Sequence, residues 1–279
     1  MFSTVVFTEK TNKPNRGTEI QSSLIMPAKR IDTQSSDLIL WSLLGRTEYK
    51  DALALMKRLA HRVERGEISG ILLFMEHPPI ITLGRRATQN DVIAPPALLK
   101  KLGYRVFCTD RGGMATCHGP GQLIGYLVLD LSKLGIGIKK LVECTEETLI
   151  RSLISWGVEA TGTDGMPGIW VGGKKIAAIG MRVKNGVTSH GFALNLNFDL
   201  RAYDLVVPCG IKEAKTGNVI DHSDSVPSFP EAARVIAENF SEIFGVEIRE
   251  TERVAITENF AAFRPDPGFT FRKGETAQV

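Results

Sequence analysis

Apolar residues recur at three- and four-residue steps in three stretches of the chain, and this spacing predicts three amphipathic helices. The helices run from Tyr49 to about Glu64, from Leu141 to Trp156 and from Pro230 to Phe244. Proline in a first turn predicts a short further helix over 95–101. Short apolar runs bounded by glycine, proline or polar residues predict strands. They lie at 71–75, 80–83, 104–109, 124–131, 169–171, 175–183 and 188–197.

Two-residue turns separate the last three predicted strands. Gly172-Gly173 and Asn185-Gly186 are both favoured in β-hairpins, so these strands should be consecutive and antiparallel. Helices and mostly antiparallel strands that alternate along the chain predict the α+β class. We expect a single domain over 41–250, with a central mixed, mostly antiparallel sheet flanked by helices. A polar N-terminal extension over 1–40 and a C-terminal tail over 251–279 should flank it.

Charge and composition narrow the function classes. The 279 residues include 34 Lys and Arg against 31 Asp and Glu, a net charge of +3 that is too mild for a nucleic-acid-binding face. No apolar run is long enough for a membrane span, and no secretory signal is recognisable. Four cysteines in a chain of this length do not suggest a disulfide scaffold. We therefore expect a cytoplasmic protein with reduced thiols.

A glycine-rich segment over 111–122 is the first candidate for chemistry. It holds four glycines and one proline between two predicted strands, and such a loop can bring backbone N–H groups close to a ligand. A tight structural connection is the alternative, and the spacing fits neither a P-loop nor a dinucleotide-binding motif. Cys117 and His118 are adjacent, so on an extended segment their side chains point to opposite faces. We expect no metal site.

A candidate nucleophile lies after the third hairpin strand. Cys209 stands between Pro208 and Gly210, in a context typical of a stiff loop with room for a ligand, although a buried thiol is the simpler alternative. A reactive thiol needs a nearby cation or base. The candidate partners are Lys174, Lys175, His118 and His190, and the residues alone leave the choice open.

Several motifs together resemble the lipoyl (octanoyl) transferase family. The motifs keep the family's order over about residues 49–245. They are Glu76-His77-Pro78-Pro79, Thr82-x-Gly84-Arg85, Arg111-Gly112-Gly113-x-x-Thr116-x-His118-Gly119-Pro120-Gly121-Gln122 followed by Gly125-Tyr126 and Leu129-Asp130-Leu131, Pro167-Gly168-Ile169-Trp170-Val171, Lys174-Lys175-Ile176-x-x-Ile179-Gly180, His190-Gly191-x-Ala193-Leu194-Asn195 and Pro208-Cys209-Gly210.

The resemblance implies the catalytic-domain fold of biotin and lipoate protein ligases, and an acyltransferase that carries out the first step of protein lipoylation. Such an enzyme takes an octanoyl or lipoyl group from octanoyl-acyl carrier protein through a cysteine thioester, without ATP, cofactor or metal. The acceptors would be lysines of the lipoyl domains of 2-oxoacid dehydrogenases and of the glycine cleavage H protein. Neither nucleic acid nor membrane is implied as a partner.

The resemblance also assigns residues to roles. It implies Cys209 as the nucleophile and Lys175 as its catalytic partner. The implied substrate-binding residues are Arg111, Gly112, Gly113, Met114, Ala115, Thr116, Cys117, His118, Ala178, Ile179, Gly180, Gly191, Phe192 and Ala193. Because carrier proteins are acidic, basic side chains are candidates for the rim of the site. They are Arg85, Arg86, Lys139, Lys140 and Lys212, and a solvated surface is the alternative for each.

Two positions depart from the family pattern. Cys117 stands where an aromatic residue is usual, which would change the pocket wall and add a second thiol. The segment 211–219 also differs from the commonest sequence after the nucleophile. The competing interpretations are an ATP-dependent lipoate or biotin protein ligase on the same fold, a non-catalytic lipoyl-domain-binding protein and, less well supported, a cysteine hydrolase.

Overall fold

The computed structural model describes residues 38–162, 167–207, 215–253 and 256. Its strands are β1 (Leu38–Arg46), β2 (Gly70–Glu76), β3 (Ile80–Leu83), β4 (Arg105–Cys108), β5 (Ala115–His118), β6 (Gln122–Leu129), β7 (Gly168–Val171), β8 (Lys174–Lys184), β9 (Val187–Asn195) and β10 (Glu247–Glu250). Its α-helices are α1 (Tyr49–Glu64), α2 (Pro96–Leu102), α3 (Leu131–Leu134), α4 (Ile138–Ser155) and α5 (Phe229–Phe244). The three long helices and seven strands predicted from the sequence are all present, within a few residues at each end.

Seven strands form the main sheet in the order β10-β1-β2-β6-β9-β8-β7. The pairs β10-β1 and β1-β2 are parallel, and the other four are antiparallel. This confirms the predicted α+β class with a mixed, mostly antiparallel sheet. The hairpin turns are also confirmed, because Gly172, Gly173, Asn185 and Gly186 all have positive φ, between 52° and 79°.

The first strand of the domain and a second, smaller sheet were not predicted. Strand β1 begins at Leu38, inside the stretch expected to be a polar extension, and residues 1–37 lie outside the described part. Strands β4, β3 and β5 form a separate three-stranded sheet. Residues 115–118, predicted as part of a loop, form β5 because they pair antiparallel with β3 and are buried on both sides.

Helices cover both faces of the main sheet and make two apolar layers. Helices α4 and α5 pack on one face, where Leu149, Leu153 and Phe240 are at most 2% exposed. Helix α1 packs on the other face through Ala52, Met56 and Leu59. Full burial of a side chain of this kind contributes about 1.5–3 kcal/mol, so these layers hold the sheet rigid beneath the site. None of the helices in the described ranges is long and apolar enough to cross a bilayer.

Candidate active site

A cavity of about 450 Å³ lies between the 111–116 loop, strands β8 and β9, and helices α1 and α4. Thirteen of the fourteen implied substrate-binding residues line it, together with Lys175. They are Arg111, Gly112, Gly113, Met114, Ala115, Thr116, His118, Ala178, Ile179, Gly180, Gly191, Phe192 and Ala193. The fold therefore brings three distant stretches of sequence to one cavity.

Cys117 is the implied residue that does not line this cavity. Its side chain is fully buried on the opposite side of β5 from His118, and its Sγ lies 3.0 Å from the Ala202 carbonyl oxygen. Burial raises the pKa of the Cys117 thiol well above its ordinary value. The expectation that Cys117 changes the pocket wall is therefore corrected, since strand alternation turns this side chain into the apolar cluster of the small sheet.

The Arg111 guanidinium ties the glycine-rich loop to the small sheet. Its Nη2 donates to the carbonyl oxygen and to the hydroxyl of Thr82, at 2.7 and 2.9 Å, and to the Met114 carbonyl oxygen at 2.8 Å. On the other side of the loop, Gly112 N–H donates to the Met181 carbonyl oxygen in β8 at 3.1 Å. The loop is therefore hydrogen-bonded to both β3 and β8, and it lines one side of the cavity.

His118 continues the same hydrogen-bond network. The Oε1 atom of Gln122 lies 2.7 Å from its Nδ1, and the Thr82 hydroxyl lies 3.3 Å from its Nε2. Since Gln122 Nε2 donates to Asn195 Oδ1 at 2.8 Å, the Gln122 oxygen is the acceptor, which assigns the His118 proton to Nδ1. Asn195 Nδ2 in turn donates to the Gly217 carbonyl oxygen at 3.0 Å. The network thus joins the loop to residue 217.

Two further histidines are buried near the cavity. His77 Nδ1 lies 2.7 Å from the Thr47 carbonyl oxygen, and its Nε2 lies 3.0 Å from the Tyr126 hydroxyl. His190 has φ of 59°, which is uncommon outside glycine, and its Nε2 lies 2.8 Å from Asp110 Oδ1. Asp110 also pairs with Arg182 of β8. This carboxylate therefore holds β8, β9 and the start of the loop together.

Burial keeps these three imidazoles neutral. Desolvation lowers the pKa of His77 to about 4. Desolvation, with the positive charge of Arg111 nearby, lowers the pKa of His118 to about 3 and that of His190 to about 3. His118 and His190 line the cavity, so they give it an uncharged aromatic wall near physiological pH.

The buried histidines predict a strong pH dependence of stability. A neutral buried histidine stabilises the folded state fully when the pH is above about 6.5, the pKa of histidine in the unfolded chain. This stabilisation is lost as the pH falls from about 6.5 towards the lowered pKa of the folded state. Each of His77, His118 and His190 should contribute up to about 1.4 kcal/mol per pH unit in this range. We expect urea unfolding to show a steep fall in the free energy of unfolding between pH 7 and pH 5.

Two variants separate this effect from general acid sensitivity. His77→Gln should reduce the slope by about a third, since one of three buried titrating groups is removed. His61→Gln is the matched control, because the His61 side chain is 53% exposed, and it should leave the slope unchanged. Equal slopes in the two variants would contradict the assignment.

Lys175 lies at the start of β8 and reaches the cavity past Gly168. A β-carbon at position 168 would lie 2.4 Å from Lys175 Cε, and the φ of Gly168 is 138°, so only glycine leaves room for this side chain. The ammonium lies 5.4 Å from the centre of the Trp170 ring. Lys174 does not line the cavity, and its Cβ instead faces Gly217.

The backbone of Lys175 pairs with the segment that follows the candidate nucleophile. Lys175 N–H donates to the Lys215 carbonyl oxygen at 2.8 Å, and Gly217 N–H donates to the Lys175 carbonyl oxygen at 3.1 Å. On the other flank, Val207 N–H donates to the Asp91 carbonyl oxygen at 2.8 Å. Cys209 itself lies outside the described residues, as do Pro208 and Gly210.

Several lining residues had no signal in the sequence. Tyr49, Ile124 and Tyr126 come from α1 and β6, and Ile138 and Val142 come from α4. The spacing of Tyr49, Ile124 and Val142 gives no reason to place them at one site. Tyr126 was noted in the sequence only as part of a family motif. Its hydroxyl lies 3.0 Å from His77 Nε2. The apolar pattern of a buried strand does not indicate this contact.

The basic residues proposed for the rim differ in position. Arg85 and Arg86 are exposed, and Arg86 lines the cavity. Lys139 and Lys140 lie on the first turn of α4, each with its ammonium 3.9 Å from a Glu143 oxygen. Lys212 lies outside the described residues. Within the described ranges, no group of three His, Cys, Asp or Glu side chains is arranged to hold a metal ion.

The fold defines the class of protein. The bipartite lipoate protein ligase of Thermoplasma acidophilum superposes with a TM-score of 0.66 at 21% identity, over 82% of this chain and 91% of that one. A lipoate-protein ligase A bound with ATP superposes with a TM-score of 0.66 at 23% identity, over 82% and 93% of the two chains. The chain thus has the lipoate protein ligase fold, which confirms the predicted architecture.

Sequence comparison identifies the family. The model of the lipoyl protein ligase A/B catalytic domain matches residues 48–241. The octanoyltransferase of Alkaliphilus metalliredigens is 44% identical over 209 residues, which cover 75% of this chain and 96% of that protein. The octanoyltransferase of Chloroflexus aurantiacus is 39% identical over 74% of this chain and 94% of that protein. The chain belongs to the octanoyltransferases of this family, which confirms the predicted family and acyltransferase class.

Proposed function

We propose that this protein transfers an octanoyl group from octanoyl-acyl carrier protein to a lysine of a lipoyl domain, through a thioester on Cys209. The acceptors are the lipoyl domains of 2-oxoacid dehydrogenases and the glycine cleavage H protein. The observation that carries the proposal is the position of Lys175. It lines a largely apolar cavity, and its backbone pairs with described residues that follow Cys209 in the chain.

The flanks of the Cys209 segment support its assignment as the nucleophile. Cys209 is two residues from Val207 and six from Lys215, both of which are held by backbone hydrogen bonds. Lys215 is bonded to the backbone of Lys175 itself, which supports the choice of this lysine as the partner of the Cys209 thiol in the proposed mechanism. Cys117 and Cys144 are at most 4% exposed, and burial raises the pKa of both thiols, which disfavours the reactive thiolate there.

The reaction balances as two acyl transfers. In the first, the Cys209 thiolate attacks the carbonyl carbon of the donor thioester, and the bond to the carrier sulfur breaks, so that the carrier leaves as its thiolate and takes a proton. In the second, the acceptor amine attacks the Cys209 thioester, the carbon–sulfur bond breaks, and an amide forms. The proton released by the amine passes to a base at the site, and the thiolate of Cys209 is restored.

Lys175 has a role in each half-reaction. As an ammonium it stabilises the Cys209 thiolate before the first attack. The proton that the departing carrier thiolate takes up comes from this ammonium through solvent, so that Lys175 is a neutral amine in the acyl-enzyme and accepts the proton of the attacking lysine. His118 and His190 are poorer candidates for this base, because burial lowers the pKa of each to about 3. In addition, His118 Nδ1 is hydrogen-bonded to Gln122, and His190 Nε2 is hydrogen-bonded to Asp110.

The cavity suits a fatty chain. Ile124, Ile138, Val142, Ile179 and Phe192 contribute apolar side chains to its wall. Each methylene that leaves water contributes about 0.8 kcal/mol of binding free energy, so eight carbons supply a substantial part of donor recognition. The basic Arg86 at the cavity is placed to contact an acidic carrier protein.

Mass spectrometry tests the proposal directly. Full-length protein is incubated with octanoyl-acyl carrier protein without ATP, and intact mass and peptide mapping follow. We expect one added octanoyl group on the peptide that contains Cys209, discharged by an apo-lipoyl domain. Cys144→Ala is the matched control and should carry the same label. No label, together with transfer that requires ATP, would favour a ligase; no label and no transfer, with intact lipoyl-domain binding, would favour a non-catalytic binding protein.

A further inference from the structure

A second, smaller cavity lies behind the wall of the main one. It has a volume of about 10 Å³, and Phe192 and Tyr126 line both cavities. Along α4 the two cavities follow each other, since Val142 lines the main cavity and Thr145, one turn later, lines the small one. The two spaces are therefore adjacent on the α4 side of the main sheet.

The Phe192 ring lies at the boundary of these two cavities. Phe192 of β9 is directly opposite Gly125 of β6 in the strand register. A β-carbon at Gly125 would lie 2.3 Å from Cζ and 2.4 Å from Cε1 of the ring, so the ring lies flat on the glycine. Phe192 belongs to the apolar layer beneath α4 and α5. This places its ring on the face of the sheet where the two cavities meet.

The space behind the ring is apolar. Its walls include Phe74, Leu127 and Phe240. The hydroxyls of the two threonines on its α4 side are used within the helix, where Thr145 donates to the Leu141 carbonyl oxygen at 2.8 Å and Thr148 donates to that of Cys144 at 2.7 Å. A space with no unsatisfied polar group accepts hydrocarbon more readily than water.

We propose that the Phe192 ring closes the end of the acyl site and sets the upper limit of acyl chain length. The inference rests on the proposed octanoyl transfer, and it assigns a specificity to one side chain of that site. An eight-carbon chain would end against the ring, and a longer chain would have to displace it. Truncation of the ring would join the two cavities and give room for additional methylenes.

Chain-length preference measures this role. The full-length protein and its Phe192→Ala and Phe192→Leu variants are assayed with octanoyl- and dodecanoyl-acyl carrier protein, and the ratio of the two kcat/KM values is compared. We expect Phe192→Ala to raise the dodecanoyl-to-octanoyl ratio by about 10- to 100-fold, since each extra buried methylene is worth about a factor of four and the space vacated by the ring would bury about two or three of them. Phe192→Leu should give a smaller rise in the same direction.

Two controls isolate the ring. Phe240→Leu enlarges the small cavity from its far side and leaves Phe192 in place, so the ratio should not change. Ile138→Ala removes apolar contact where the side chain is 44% exposed, and should lower both kcat/KM values alike. If Phe192→Ala does not fold by circular dichroism, Phe192→Leu decides.

The outcomes separate this inference from the proposed function. Octanoyl transfer by the unchanged protein with a constant ratio in the folded Phe192 variants overturns the role of the ring alone. An unchanged protein that transfers no octanoyl group from the carrier overturns the proposed function. Gly125→Ala gives a test of opposite sign, because the new methyl group pushes the ring towards the main cavity, and it should raise the preference for hexanoyl over octanoyl donor.

Discussion

Cys209→Ala is expected to lower octanoyl transfer by about 10⁴- to 10⁶-fold, the loss typical when a covalent nucleophile is removed. The binding cavity and the donor contacts remain, so octanoyl-acyl carrier protein should still bind, but no thioester can form. The measurement is the rate at which an apo-lipoyl domain gains an octanoyl group, followed by mass spectrometry.

Cys144→Ala is the comparison for this experiment. Cys144 is 4% exposed within α4 and packs in the apolar layer, so its loss should affect stability slightly and transfer hardly at all. Both variants should give the far-ultraviolet circular dichroism of the unchanged protein. Near-normal transfer by Cys209→Ala would exclude the acyl-enzyme, and dependence of that residual activity on ATP would indicate a ligase.

Local sequence signals predicted the parts of the fold that local interactions determine. The β7-β8-β9 meander could be predicted because Gly172-Gly173 and Asn185-Gly186 specify two-residue turns between alternating strands. Strand β1 was not predicted, because periodicity alone does not distinguish a nearly continuous apolar run such as Leu38–Leu44 from a buried helix segment. Strands β3 and β4 were predicted, but the small sheet that they form with β5 was missed because its strands pair across long sequence separations.

The residues of the site could likewise be predicted from local sequence signals, whereas the contacts between them could not. Motifs gave the residues of the loop and hairpin, and strand alternation gave the opposite orientations of Cys117 and His118. The hydrogen bonds that hold these residues could not be predicted, since they join positions that only the folded chain brings together. Thr82 and His118 are 36 residues apart, and Asp110 and His190 are 80 apart.

The residues alone left the choice between Lys174 and Lys175 open, and only the family resemblance implied Lys175. Adjacent lysines at the start of a strand face opposite ways, and the sequence does not say which way faces inward. A register shift between Ile169 and Trp170 sets the pairing of β7 with β8 at this point. It leaves Lys175 at the cavity and Lys174 against Gly217, so Lys175 is the lysine to test.

Lys175→Met is expected to reduce transfer by about 10²- to 10⁴-fold, because a side chain of similar length is kept and both the cation and the base are lost. Alkylation by iodoacetamide reports the pKa of the Cys209 thiol, because only the thiolate reacts. This alkylation should require a higher pH in the variant than in the unchanged protein. Unfolding by urea at pH 7.5 checks that the fold is retained.

Lys175→Arg separates the two roles of the side chain. A guanidinium keeps the positive charge that stabilises the thiolate but does not lose a proton in proteins. Formation of the octanoyl thioester should therefore stay within about tenfold of the unchanged rate, whereas discharge to the lipoyl-domain lysine should fall by about 10²-fold or more, so that acyl-enzyme accumulates. Equal losses in the two half-reactions would assign Lys175 a structural role beside Gly168 and Trp170. A loss confined to discharge of the acyl-enzyme would establish the neutral amine of Lys175 as the base, because the positive charge that arginine retains would then not be sufficient for transfer.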